Sequence, residues 1–144
     1  MDLGRRLGER LQPGDVVGLC GDLGSGKTWF AKGLALGLGV SPDDVVTSPS
    51  FALMNAYEGR YTLFHIDVYR LETVSDFLDA GLDDCLYGDG VAVMEWADRW
   101  PEILPKRHLL VQIRILNEHS REITFSGTYP EGDNTLDEIT MEGS

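Results

Sequence analysis

Gly21-Asp22-Leu23-Gly24-Ser25-Gly26-Lys27-Thr28 meets the phosphate-loop pattern G-x-x-x-x-G-K-[ST] at every fixed position, and the rest of the chain is arranged about it. At ordinary residue usage such a pattern arises by accident in roughly one chain of this length in two hundred. The flanks strengthen it. Upstream, Asp15-Val16-Val17-Gly18-Leu19-Cys20 is a short apolar run opened by the turn pair Pro13-Gly14, which predicts a buried strand. Downstream, Phe30, Ala31, Leu34, Ala35 and Leu38 recur at helical spacing, with Gly39 placed to cap the helix. Strand, glycine loop and helix is the order the motif needs: glycines let successive N–H groups turn toward phosphate oxygens, and the helix adds the positive end of its dipole. The candidate nucleotide-binding residues are therefore Asp22, Leu23, Gly24, Ser25, Gly26, Lys27, Thr28 and Trp29. Lys27 is expected to serve the β- and γ-phosphates as a point charge, and the Thr28 hydroxyl to be a ligand of the magnesium ion that bridges them.

The 144 residues suit one domain, and a 42% hydrophobic content is enough for one core. A net charge of −12 argues against a protein that grips nucleic acid or an anionic membrane by itself, because both are held mainly by Lys and Arg. Cys20 and Cys85 lie far apart, outside any C-x-x-C pair, and are expected to be reduced thiols. The first residues have no apolar signal core and no run reaches membrane-spanning length, so a cytoplasmic location is the default expectation.

Leu3, Leu7 and Leu11 predict a short amphipathic helix that stops at Pro13 and packs against the sheet. Beyond the turn at Ser41–Asp44 comes Val45-Val46-Thr47-Ser48-Pro49-Ser50-Phe51. Thr47, Ser48 and Ser50 form either a mobile segment that senses the γ-phosphate or an ordinary Ser/Pro loop, and local chemistry leaves both readings open. Phe51–Tyr57 and Tyr61–Ile66 are strand-like and predict a hairpin across Glu58-Gly59-Arg60. The second strand runs into His65-Ile66-Asp67-Val68-Tyr69-Arg70, where a period of two puts His65, Asp67 and Tyr69 on one face. Of these, Asp67 is the residue that packing explains least.

Thr73–Ala80 predicts a helix with Thr73 as N-cap, Asp76 closing a capping box, and Val74, Phe77 and Leu78 turned to the core. Asp83, Asp84 and Asp89 lack calcium-loop spacing and predict a solvated connection. Val91-Ala92-Val93-Met94-Glu95 is an apolar strand ending in a carboxylate, as a Walker B element does; Glu95 is the candidate for holding magnesium or orienting the attacking water, and Trp96 is read as packing. Residues 99–106 read as a loop, and Leu109–Leu116 pairs with Arg121–Phe125. The chain thus divides into a domain over residues 1–127 and an acidic tail over 128–144, which carries five carboxylates and no Lys or Arg.

Taken in series, Gly21–Thr28, Thr47-Ser-Pro-Ser-Phe51, His65-Ile-Asp-Val-Tyr-Arg70 and Glu95-Trp96 resemble the bacterial ATPase family TsaE over nearly all of residues 3 to 127. The resemblance implies an α/β, three-layer P-loop NTPase fold with a mixed central sheet. It also implies an ATPase, with ATP and Mg2+ as cofactors, that works with TsaB and TsaD to make the threonylcarbamoyl modification on the adenosine beside the anticodon of certain tRNAs, meeting tRNA only indirectly. Its catalytic group falls on Lys27, Glu95 and Asp67, and its magnesium on Thr28 and Glu95. Its switch segments fall on Thr47, Ser48 and Ser50 and on His65, Tyr69 and Arg70. The chain departs from the family pattern T-S-P-T-F at Ser50, which keeps the hydroxyl, and carries Trp29 where a small or polar residue is usual.

Other functions have less support. A small metabolite kinase needs a lid that excludes water, commonly rich in Arg, and past Glu95 the basic residues Arg99, Lys106 and Arg107 are interrupted by prolines. A GTPase needs an N-K-x-D guanine-reading motif, which does not follow Glu95. A non-catalytic module gated by ATP is separated from an ATPase by measuring turnover.

Overall fold

Val16–Gly21 forms β1, which pairs in parallel with a strand on each side and so lies inside the sheet. A computed structural model describes residues 2–21, 27–43, 54–69, 71–117 and 120–127. In it α1 (Asp2–Arg10) precedes β1, and α2 (Lys27–Gly37) follows. The hairpin β2 (Met54–Glu58) and β3 (Thr62–Asp67) comes next, then the short helices α3 (Val74–Asp79) and α4 (Asp83–Tyr87) and the strand β4 (Val91–Glu95). Two 3-10 turns, Ala97–Arg99 and Pro101–Ile103, lead to the antiparallel pair β5 (Leu109–Asn117) and β6 (Ser120–Gly127).

The six strands are ordered β2-β3-β4-β1-β5-β6. β3, β4, β1 and β5 run parallel, and each edge is closed by an antiparallel strand. Alternation along β1 divides the core in two. Val17 and Leu19 join Leu7 of α1, Leu11 just after it, and Phe30, Leu34 and Leu38 in one buried cluster. Val16 and Cys20 face the opposite way, toward Phe77 of α3, Leu86 of α4, Ala97 and Ile103. Three layers result, because parallel strands need crossovers and the crossovers cover both faces. Gly18 serves this arrangement directly: a Cβ there would lie 2.8 Å from the Ala97 Cβ, so only glycine lets the turn after β4 settle on the sheet.

Local rules hold at several ends. The Gly39 N–H donates to Leu36 and the Val40 N–H to the Ala35 carbonyl at 3.0 Å, a Schellman closure with Gly39 at φ +87°. The capping box at Thr73 and Asp76 forms as expected. The hairpin pairs from Met54 with Ile66 to Glu58 with Thr62, while residues 51–53 of its expected first strand lie outside the described residues, as does the tail from Thr128. Neither Cys20 nor Cys85 is in a disulfide.

Three expectations need correction. Leu78 is exposed, because a six-residue helix buries one narrow stripe and Phe77 fills it. The acidic connection is helical: Leu82 and Leu86, one turn apart, are both buried, and Asp83 and Asp84 occupy the first turn, where the helix dipole favours negative charge. Within the 99–106 segment, Arg99 closes one 3-10 turn and Pro101–Ile103 forms a second, with Ile103 buried.

The helix α1 lies against α2 through glycines. A Cβ on Gly4 would lie 2.7 Å from the Phe30 carbonyl, one on Gly8 2.2 Å from that of Leu34, and one on Gly37 2.1 Å from that of Arg5. Arg60, in the β2–β3 turn, donates to the carbonyls of Gly37 at 3.3 Å and Gly8 at 3.2 Å, putting a cation at the C-terminal ends of both helices. Helix propensity alone predicts that Gly8→Ala gains about 1 kcal/mol. The backbone contact predicts the reverse, a loss of about 1–3 kcal/mol read as a lower melting temperature, since Leu34 offers a main-chain oxygen that cannot swing away.

Candidate functional site

β1, β4 and β3 are adjacent and parallel, so their carboxyl ends, Gly21, Glu95 and Asp67, open on one edge of the sheet. Glu95 is the register partner of Leu19 on one side and of Asp67 on the other. The two carboxylate-bearing residues are thus one strand spacing apart, about 4.8 Å. Glu95 shares its face with Val91 and Val93, and Asp67 with Leu63, all packed on the α1–α2 side. α2 begins on that side at Lys27, which brings an ammonium group to the same edge.

Lys27 is only 5% exposed. Its Nζ donates to the Gly21 carbonyl at 2.7 Å and sits 3.7 Å from the centre of the Trp96 ring. Trp96 packs against the core, as the sequence suggests, and in addition forms a floor for this lysine. It does so from a left-handed backbone, φ 65° and ψ 32°, which is strained for a bulky residue. The Tyr69 ring packs against Trp96 at a tilt of 42° with centroids 4.7 Å apart, and the Arg99 guanidinium lies 5.4 Å from the Tyr69 ring. Cation, aromatic, aromatic and cation therefore link the helix start, the end of β4 and the segment after β3. Trp96 and Arg99 are the residues that sequence reasoning missed here; the signal was an aromatic residue directly after the strand-end Glu.

Glu95 is 2% exposed, and its Oε2 lies 2.5 Å from His65 Nε2. His65 is fully buried in β3, one pleat before Asp67 on the same face, and its Nδ1 has no hydrogen-bond partner among the described residues. Tyr69 lies beyond the strand, where its N–H donates to Asp67 Oδ1 at 2.9 Å and closes a turn. Burial pushes the Asp67 carboxyl above its ordinary value; the Tyr69 N–H pulls it down, Glu95 pushes it up, and His65 and Lys27 pull it down by less. Trp29 is 58% exposed on α2, with Lys32 Nζ 5.2 Å from its ring. Asp22, Leu23, Gly24, Ser25, Gly26, Thr47, Ser48, Ser50 and Arg70 lie outside the described residues, and so does the Thr28 side chain.

The donor set suits magnesium better than a softer metal. No group of three or more His, Cys, Asp and Glu ligands gathers among the described residues. Magnesium usually takes one or two carboxylates and completes its shell with phosphate and water, and the strand ends offer two hard carboxylates beside a lysine. No helix among the described residues is long and apolar enough to cross a membrane.

The family model described as "Threonylcarbamoyl adenosine biosynthesis protein TsaE" matches residues 1–123. A protein of Treponema pallidum (strain Nichols) named tRNA threonylcarbamoyladenosine biosynthesis protein TsaE is 48% identical over 121 residues, covering 84% of this chain and 88% of its own. The protein of the same name from Bacillus subtilis (strain 168) is 46% identical over 116 residues, covering 80% of this chain and 71% of its own. The crystal structure of Bacillus subtilis YdiB superposes with a TM-score of 0.80 at 34% identity, over 99% of this chain and 87% of that one. The mixed six-stranded sheet between two helical layers is that of a P-loop NTPase. With the family model covering residues 1–123, the chain belongs to the TsaE family.

Proposed function

We propose that this protein is a magnesium-dependent ATPase serving the bacterial machinery that installs threonylcarbamoyl on the adenosine beside the tRNA anticodon, with TsaB and TsaD as its protein partners. The observation that carries the catalytic part is the meeting of Lys27, Glu95 and Asp67 at one sheet edge, directly after a phosphate-loop sequence. The names of the relatives support the pathway. Residues 1–127 are the ATPase domain in this reading.

Lys27 supplies positive charge to the β- and γ-phosphates, and the backbone of residues 22–26 with the start of α2 supplies oriented N–H groups. Thr28, Glu95 and Asp67 would hold magnesium, which neutralises charge on the phosphate oxygens when bound. The raised Asp67 supports that assignment: a carboxylate disfavoured by burial and by a neighbouring Glu gains most from a divalent cation. Glu95 orients water from a rigid strand end. Asp67 begins the turn to Tyr69, so it couples phosphate to the segment whose ring packs on Trp96. Thr47, Ser48 and Ser50 are the other proposed switch segment.

Three outcomes test this reading. Phosphate release by Lys27→Ala or Glu95→Gln is expected to fall by a factor of ~100 or more, with the fold intact and ATP still bound by Glu95→Gln. Rates within a few-fold of the parent in both variants would remove the assignment.

The isolated chain is expected to turn over slowly with ATP and to be stimulated by the TsaB–TsaD pair, and to bind tRNA weakly at physiological salt because of its net charge of −12. Phosphate release with ATP and with GTP, each with and without the pair, measures the first part. Tight, salt-sensitive binding of tRNA by the chain alone would contradict the second.

Asp67 links the site to stability. Its carboxyl is raised above an ordinary value of 3.8, so its contribution to folding is fully present below that range and is lost as pH rises through the raised value. At pH 7, without nucleotide or magnesium, ionised Asp67 is a cost. Asp67→Asn is therefore expected to raise the melting temperature at pH 7 while lowering ATP turnover, and the stability gain is expected to shrink toward pH 4. A variant that melts lower than the parent at pH 7 would show that the carboxylate stabilises the fold.

A further inference from the structure

His65 has no role in packing that an apolar side chain would not fill better. It is fully buried, its Nδ1 finds no partner among the described residues, and an unpaired buried polar atom costs free energy. Its other nitrogen, Nε2, lies 2.5 Å from Glu95 Oε2. The two residues are diagonal neighbours on adjacent parallel strands, His65 opposite Val93 and Glu95 opposite Asp67, so the backbone sets their reach. With Nδ1 unpaired, a bare lone pair there is less costly than a buried N–H, which assigns the proton to Nε2 as donor to the carboxylate.

From this we infer that His65 is a positioning residue: it holds one oxygen of Glu95 and so fixes the plane in which that carboxylate meets metal and water. The inference rests on the ATPase reading above. It separates His65 from the switch segment that the family resemblance implies, because His65 lies within β3 while the turn begins at Asp67. Carboxylates that serve a metal are commonly oriented by such a partner, and losing the partner costs a factor of about 10–100 in metal affinity or rate.

The experiment uses the full chain and compares parent, His65→Leu, His65→Gln, His65→Asn, Glu95→Gln and the double variant His65→Leu/Glu95→Gln. Basal phosphate release, its magnesium dependence and ATP affinity are measured for each. His65→Leu is expected to lower turnover about 10–100-fold and to raise the magnesium needed for half-maximal rate, with ATP affinity within about threefold of the parent. His65→Gln reaches Glu95 with an N–H in place of Nε2 and is expected to recover most of the rate, whereas the shorter His65→Asn is not. In the Glu95→Gln background, His65→Leu is expected to cost nothing further. Independently of activity, ring nitrogen shifts in the nucleotide-free protein, assigned by loss of the signal in His65→Gln, are expected to show hydrogen on Nε2 and none on Nδ1.

A His65→Leu protein that turns over within twofold of the parent while Glu95→Gln is slow overturns the role of His65 and leaves the ATPase reading standing. A silent Glu95→Gln overturns both. Should His65→Leu fail to fold, equal rates in His65→Gln and His65→Asn overturn the inference, and a ring with hydrogen on Nδ1 and none on Nε2 does so in any case.

Discussion

Four central strands running in parallel impose the constraint from which the rest follows. A parallel pair cannot be closed by a tight turn, so each crossover passes over a face of the sheet and buries it. Both faces of β1 and β4 are consequently apolar, and polar side chains collect at the carboxyl ends, where the chain leaves the sheet. Gly21, Glu95 and Asp67 fall at one edge for that reason. A ligand site at this edge is a property of the topology, and the particular chemistry is supplied by residues placed on it.

The site works against the fold that carries it. Lys27, His65 and Glu95 are buried, Asp67 is half-buried beside Glu95, and Trp96 adopts a left-handed backbone. Each is disfavoured locally and is held by the packed layers on either side, which include fully buried Leu19, Ile66, Val93 and Met94. Local strain and buried charge concentrated at one edge are what a site for a highly charged ligand requires, since that ligand adds favourable charge interactions when it binds.

The α1–α2 pair has a quieter role. α2 begins at the site, so its tilt sets where Lys27 stands; that tilt is held by glycine contacts to α1 and by Arg60 reaching the carbonyl ends of both helices. The hairpin turn therefore contributes to the nucleotide edge from the opposite end of the molecule. Backbone-to-backbone contact leaves little freedom, because main-chain atoms cannot repack as side chains do.

What the sequence determined by itself was the phosphate-loop reading, the strand and helix around it, the Thr73 capping box, the β2–β3 and β5–β6 pairs and the strand ending at Glu95. These are legible because hydrophobic period, glycine placement and capping act over a few residues. The same locality explains the misses. Leu78 fits an apolar stripe as well as Phe77 does, and only the limited face offered by the sheet exposes it. The aspartates around Cys85 signal solvent, yet the buried pair Leu82 and Leu86 makes them the first turn of a helix. The ring of Trp96 under Lys27, the contact of Tyr69 with Trp96 and Arg99, and the His65–Glu95 pair each join residues far apart in the chain, and no local pattern encodes which of them touch. The strand order β3-β4-β1 decided that, because it set three strand ends side by side and turned separate motifs into one edge.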